Sequence, residues 1–258
     1  MLDIAQIESF YPESLRPFKR NLLREYLQYK ILETIYDSEF GAKLVFMGGT
    51  AIRIVHANTR FSGDLDFDNT GLSPDEFGRL TRLIQRMLEL EGYEVETGNV
   101  FRKTFTCEIK ILGALFAYDL SGHRQEKLPI KLNAKAQEFS YLLDKVILNK
   151  FDVFLRANVV PVDILLAQKI YAAFNRRRPV GRDFYDIVYL LGKARPNIEY
   201  LRSRLRIGDG ADLKRRLLER CGELDFEILA REVEPFLFVP TDTKKVLGFC
   251  RYVEGIGF

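Results

Sequence analysis

Two short stretches carry glycine, hydroxyl and carboxylate groups in an order suited to holding a polyphosphate beside a divalent cation. The first is Met47-Gly48-Gly49-Thr50-Ala51. The second, one short helix later, is Arg60-Phe61-Ser62-Gly63-Asp64-Leu65-Asp66-Phe67-Asp68. Gly48 and Gly49 lack a Cβ, so the backbone can turn sharply and bring its N–H groups close to a phosphate. Thr50 is placed to cap the helix that follows, whose amino end favours negative charge. Asp64 and Asp66 stand two apart in a strand-like run, so both carboxylates project from one face while Leu65 and Phe67 point into a core. Paired oxygens on one face suit Mg²⁺ or Mn²⁺, which also takes oxygens from the phosphates of a nucleoside triphosphate. A Gly-Gly-Thr turn is common, and an Asp-x-Asp strand is more often a solvated face. Their conjunction is the stronger signal: strand, glycine turn, helix, loop and acidic strand follow one another in a single short stretch.

With Arg60, Phe61 and Ser62 directly before the aspartates, this segment resembles the AbiEii/AbiGii family, the nucleotidyltransferase-like toxins of bacterial abortive-infection and toxin–antitoxin systems. The resemblance spans about Leu44 to Leu191. It continues in Leu165-Leu166-Ala167-Gln168-Lys169-Ile170-Tyr171-Ala172-Ala173 and in Gly181-Arg182-Asp183-Phe184-Tyr185-Asp186-Ile187, where the family places a lysine on a helix, a basic loop, and an Arg-Asp-x-Tyr-Asp start to the next helix. The implied fold class is α+β, a polymerase β-like fold with a mixed β-sheet and a mainly helical carboxyl-terminal part. The implied activity is metal-dependent nucleotidyl transfer from an NTP.

In that reading Asp64 and Asp66 hold the metal and are catalytic. Gly48, Gly49, Thr50, Ser62, Arg60 and Arg182 bind the nucleotide, and Lys169 stabilises charge on the triphosphate. Asp183 is catalytic or, equally, a helix cap, and Asp183 with Asp186 could hold Lys169 or Arg182 in place. The run Arg176-Arg177-Arg178 is a solvated loop or a hold on acceptor phosphates. The resemblance further implies toxicity through modification of an RNA acceptor such as tRNA, a separately encoded antitoxin partner, and a role in phage defence.

One position departs from the pattern. In Pro129-Ile130-Lys131-Leu132-Asn133-Ala134-Lys135, Asn133 stands where the family's Lys-Ile-Glu-Ile run has its glutamate. An amide oxygen can bind a cation or orient water, but it carries no charge and is a weak base. Asn133 is therefore the candidate third metal ligand, with Glu108 and Asp68 as alternatives. Two other functions stay open: a small-molecule nucleotidyltransferase, which would need an acidic pocket for a cationic substrate, and a non-catalytic nucleotide-binding protein that lost its third carboxylate.

The elements that must position these groups follow from periodicity. Apolar residues at helical spacing run from Leu15 to Phe40, Leu44–Met47 reads as a strand, and residues 51–55 read as a helix. Ser73, Pro74 and Glu76 form a capping box before a helix that Gly92 stops. Strands are expected at 93–97, 104–111 and 128–136. Helices follow from about Asp163, at 183–191, 211–220, 226–236 and 244–253. The domains are drawn as 1–161 and 162–258.

With 39 Lys+Arg against 36 Asp+Glu the net charge is only +3, so a nucleic-acid partner needs a local patch. Cys107, Cys221 and Cys250 are odd in number and outside metal spacing, and they read as buried thiols in a reducing compartment. No segment is apolar for long enough to span a membrane, so a cytoplasmic protein is expected. Neither the oligomeric state nor the preferred NTP is legible.

Overall fold

The computed structural model describes residues 1–258 and divides into two units. One comprises Met1–Ala51 and Ser62–Val160, the other Ile52–Phe61 and Pro161–Phe258. The sequence suggests one boundary after residue 161. The fold divides the chain after Val160 and also gives the segment bearing Arg60 to the second unit.

The first unit runs α1 (Ile4–Ser9), α2 (Lys19–Tyr36), β1 (Leu44–Met47), α3 (Gly48–His56, from Ile52 onward in the second unit), β2 (Leu65–Asn69), α4 (Pro74–Leu90), β3 (Glu94–Phe101), β4 (Phe105–Leu112), α5 (Ala114–Ala117), β5 (Leu128–Lys135), β6 (Asp144–Lys150) and β7 (Val153–Val159). Its seven strands form one sheet in the order β3-β4-β5-β2-β1-β7-β6. The sheet is mixed: β2 runs parallel to β5 and β1 parallel to β7, while the other pairs are antiparallel. Alternation along the central strand β2 buries Leu65 and Phe67, with Leu132 and Ala134 of β5 buried beside them, and sends Asp64 and Asp66 to the other face. Helices α2 and α4 pack on the sheet. The capping box of α4 is formed: Glu76 N donates to Ser73 Oγ at 3.2 Å and Ser73 N to Glu76 Oε2 at 2.9 Å.

The helical run from Leu15 divides into a 3₁₀ turn at Glu13–Phe18, which contains Pro17, and α2 proper. Proline lacks the N–H that a longer α-helix would need there. The β6–β7 hairpin was not anticipated, and the reason is local. Ile147 and Phe154 are 60% and 67% exposed, which blurs the alternation, and the two-residue turn uses Phe151 at φ 60° where glycine or asparagine is usual. Phe151 is held by its ring, whose centroid lies 5.0 Å from that of Phe10 and 5.3 Å from those of Tyr26 and Tyr29.

The second unit adds α6 (Val162–Asn175), α7 (Gly181–Leu191), α8 (Ile198–Leu205), α9 (Gly210–Gly222), α10 (Phe226–Val233), α11 (Lys244–Leu247) and α12 (Phe249–Gly255). Helix α7 packs on α6 and α10. Its approach to α10 requires Gly181, because a Cβ there would lie 1.9 Å from the Leu229 carbonyl oxygen. The helix expected over 244–253 is interrupted at Gly248. The segment from Thr59 to Phe61 is laced to Phe236–Phe238: Phe61 N donates to Phe236 O at 2.8 Å and Phe238 N to Thr59 O at 3.1 Å. Cys107 is buried as expected, whereas Cys221 and Cys250 are half-buried free thiols. No helix is long and apolar enough to cross a membrane.

Candidate functional site

The glycine turn and the acidic strand meet in the first unit because β1 and β2 pair antiparallel, with Met47 opposite Asp66. Gly48, the next residue, adopts φ 77°, and a Cβ on it would lie 2.5 Å from Asp66 Oδ2. Only glycine meets both conditions: any side chain would be strained and would displace the carboxylate. Helix α3 already begins at Gly48, so Thr50 lies inside the first turn and does not cap it, contrary to expectation. Its buried hydroxyl instead donates to the Asp64 carbonyl and lies 2.9 Å from Ser62 Oγ. Thr50 thus ties the glycine turn to the aspartate loop.

The three aspartates meet different environments. Asp64 stands exposed just before β2, Asp66 is half-buried in the strand, and Asp68 is buried. Asp68 accepts from Gln137 N at 2.8 Å and from the Tyr141 hydroxyl at 2.6 Å, which occupies the alternative third carboxylate with structural bonds. Asn133 sits opposite Asp66 on β5 and Thr106 sits opposite Asn133 on β4. Asn133 Nδ2 donates to Asp66 Oδ1 at 3.0 Å, and Thr106 Oγ1 donates to Asn133 Oδ1 at 3.0 Å. An ionised carboxylate accepts only, so the amide nitrogen has to face Asp66 and the amide oxygen is directed to Thr106. Glu108 lies opposite Lys131, not Asn133, and pairs with Lys110 at 3.1 Å, so the register does not make it the third group. No three acidic, histidine or cysteine side chains converge as a ready metal cage. Asp64 and Asp66, beside a turn that a Cβ would fill, are the residues that fit a divalent cation.

In the second unit Arg60, Lys169, Asp183 and Asp186 gather into a buried ion cluster. Arg60 is 2% exposed and clasps Asp186 with two prongs, Nε to Oδ1 at 2.7 Å and Nη2 to Oδ2 at 2.5 Å. The remaining terminal nitrogen donates to the Phe61 carbonyl at 3.0 Å. Arg60, expected at the phosphates, is thereby committed to the protein interior. Lys169 lies 2.9 Å from Asp186 and 3.1 Å from Asp183. Arg176 Nε lies 2.7 Å from Asp183 Oδ2, an ion pair without hydrogen-bond geometry. Asp183 sits within the first turn of α7 with its carboxylate turned to these cations and caps nothing. Arg182 lies over the Phe236 ring, 4.6 Å from its centroid.

Burial opposes the charges on Arg60, Lys169 and Asp186, and pairing overcomes it. Desolvation lowers the pKa of Lys169, but Asp186 and Asp183 outweigh it and leave the value above the ordinary lysine range. Desolvation raises that of Asp186, and Arg60 and Lys169 bring it below the usual carboxylate range. Both groups stay ionised across neutral pH.

Three participants were missed in the sequence. Thr106 and Asn58 (Nδ2 to Asp186 Oδ1, 2.7 Å) act through partners set by strand register or long-range folding. Gln28, 1% exposed on α2, donates to the Ser62 carbonyl at 3.0 Å and the Gly63 carbonyl at 2.9 Å. A polar residue between Leu27 and Tyr29 on a helix buried on most sides leaves no periodic signal.

Residues 30–235 match the family model described as the nucleotidyl transferase AbiEii toxin of Type IV toxin–antitoxin systems. Among solved structures, JHP933 from Helicobacter pylori is similar over 91% of this chain and 90% of its own, at 16% identity and a TM-score of 0.55. A Helicobacter pylori structure described as a candidate nucleotidyltransferase is similar over 90% of this chain and 93% of its own, with the same identity and TM-score, 16% and 0.55. These likenesses establish a shared fold. No curated protein matches the chain. With the glycine turn facing an aspartate pair and a family match across well over half of its length, the chain belongs to the AbiEii family of nucleotidyltransferase toxins.

Proposed function

We propose that this toxin transfers a nucleotide from an NTP to an RNA acceptor, such as tRNA, in a divalent-cation-dependent reaction. The observation that carries the reading is the seating of Gly48 against Asp66, which brings the amino end of α3 to the carboxylate pair. Asp64 and Asp66 are the residues to hold Mg²⁺ or Mn²⁺. A cation bound there would offset triphosphate charge and align the attacking and leaving oxygens.

The chain's own groups have distinct tasks. Backbone N–H groups of Gly48 and Gly49 donate to phosphate oxygens at a helix amino end. Thr50 and Ser62 keep the turn and the aspartate loop together. Asn133 orients Asp66 by donating to it, and because an amide is a weak base it does not take the proton of the attacking hydroxyl. That proton passes to an aspartate or to solvent. Lys169 is assigned to charge stabilisation on the triphosphate, with Asp186 and Asp183 keeping it protonated.

From the family we also infer a cytoplasmic site of action, neutralisation by a separately encoded antitoxin, and a role in phage defence. The test is incubation of the purified protein with each labelled NTP, Mg²⁺ and total RNA, followed by denaturing electrophoresis. Label in an RNA band that disappears on chelation of the cation supports the reading. A protein that binds NTP but labels nothing would instead be a nucleotide-binding relative with its chemistry lost, for which Asn133 would be the cause. Label in small molecules alone would replace the RNA acceptor.

A further inference from the structure

Helix α2 presents three polar side chains, Asn21, Arg24 and Gln28, at helical spacing on the side that meets the aspartate loop. Gln28 spends both amide hydrogens on consecutive carbonyls of that loop, those of Ser62 and Gly63, and so fixes the backbone that leads into Asp64. One turn earlier, the stem of Arg24 covers Gly63: a Cβ built on the glycine would lie 3.9 Å from Arg24 Cδ. The guanidinium is half-buried, and its hydrogen bond to the protein is a long one, Nη1 to Asn21 Oδ1 at 3.4 Å. Asp64 attracts it from beyond ion-pair distance. Arg20 on the same helix is the contrast. It is more exposed and fully engaged, 2.8 Å from Glu126 Oε1 and 2.9 Å from the Leu120 carbonyl.

A guanidinium carries five donors in a planar fork that matches the oxygens of a phosphate. None of the remaining donors of Arg24 is sealed from solvent, so they are available to the acceptors of a ligand. The desolvation is visible in its basicity: burial lowers the pKa of Arg24, Asp64 partly restores it, and Arg20 lowers it further. An arginine remains protonated regardless.

We propose that Arg24 is a phosphate ligand of the nucleotide site, taking oxygens of the triphosphate beside Asp64 on a loop that Gln28 holds in place. The proposal rests on the nucleotide-transfer reading of Asp64 and Asp66. Arg24 lies outside residues 30–235, the stretch that matches the family model.

The test uses the full-length protein and two probes with Mg²⁺, inorganic tripolyphosphate and the four α,β-methylene nucleoside triphosphates, titrated calorimetrically. Arg24→Met keeps the stem over Gly63 and removes the charge, and Arg24→Lys keeps the charge without the fork. Arg24→Met should weaken binding of both probes at least tenfold while melting stays at the wild-type temperature, and Arg24→Lys should recover part of it. In the transfer assay, KM for the NTP should rise more than kcat falls. Wild-type affinity for both probes in both variants would overturn the proposal, as would a loss confined to RNA binding. A wild-type protein that binds neither probe fails the nucleotide reading itself, and this proposal with it.

Discussion

In the first unit Asp64 is exposed and Asp66 half-buried, and the groups around them include a glycine turn, a threonine hydroxyl and an amide. In the second unit Asp183 and Asp186 are 1% and 0% exposed and are matched by Arg60, Lys169 and Arg176 within 3.1 Å. The sequence presents both as acidic residues among basic ones. Burial with ion pairing is how a protein spends charge on its own architecture, and an exposed carboxylate such as Asp64 keeps its charge available to a ligand. Asp186 should therefore answer mutation chiefly through stability, Asp64 and Asp66 chiefly through chemistry, with Lys169 answering through both.

The largest stability effect is expected at Asp186. Replacing it with alanine strands Arg60 and Lys169 in the interior, a change that costs about 3–5 kcal/mol when one partner of a buried pair is removed. Chemical denaturation reads this directly, and a loss no larger than that of a surface substitution would return the cluster to the functional class.

The same residue sets an acid limit. The folded pKa of Asp186 lies below its unfolded value of about 3.9, so its contribution is fully present above that pH and is lost as pH falls through the folded value. Lys169 is the mirror case: its pKa is raised, so its contribution is present below about pH 10.4 and is lost only as pH rises through the higher folded value. Stability measured against pH should lose its acid-side dependence on this residue in Asp186→Asn.

Lys169→Ala should cost less, about 1–3 kcal/mol, because Asp186 keeps Arg60 and Asn58 and Asp183 keeps Arg176. It should also reduce transfer, with little recovery in Lys169→Arg, since the compact ammonium is lost. Full turnover in both variants would make Lys169 structural only.

Asn133→Asp sharpens the comparison from the other side. It sets a second carboxylate against Asp66 and should lower stability by about 1 kcal/mol in chelator, with recovery on adding Mg²⁺. A melting temperature indifferent to Mg²⁺ in this variant would count against a cation at β2.

The features legible in sequence were those with local causes. The Gly48 turn, the Asp-x-Asp alternation and the Ser73–Glu76 box each depend on residues close in the chain, and each formed. Arg60 reads as a phosphate ligand because its neighbours belong to a phosphate motif. Its partner Asp186 is 126 residues away, and no local pattern announces a bidentate buried pair at that distance. Thr106, Asn58 and Gln28 were hidden for the same reason, since each acts on a group brought to it by strand register or helix packing. The β6–β7 hairpin escaped because an aromatic cluster holds its turn where a glycine would have signalled it.

The most direct test of the central claim, that Asp64 and Asp66 carry the chemistry, is transfer and melting measured together on wild type and Asp64→Asn. Asparagine preserves shape and removes the charge from an exposed side chain, so the melting temperature should not fall. Mg²⁺-dependent labelling of RNA should disappear. Labelling at the wild-type rate by the folded Asp64→Asn protein would contradict the account.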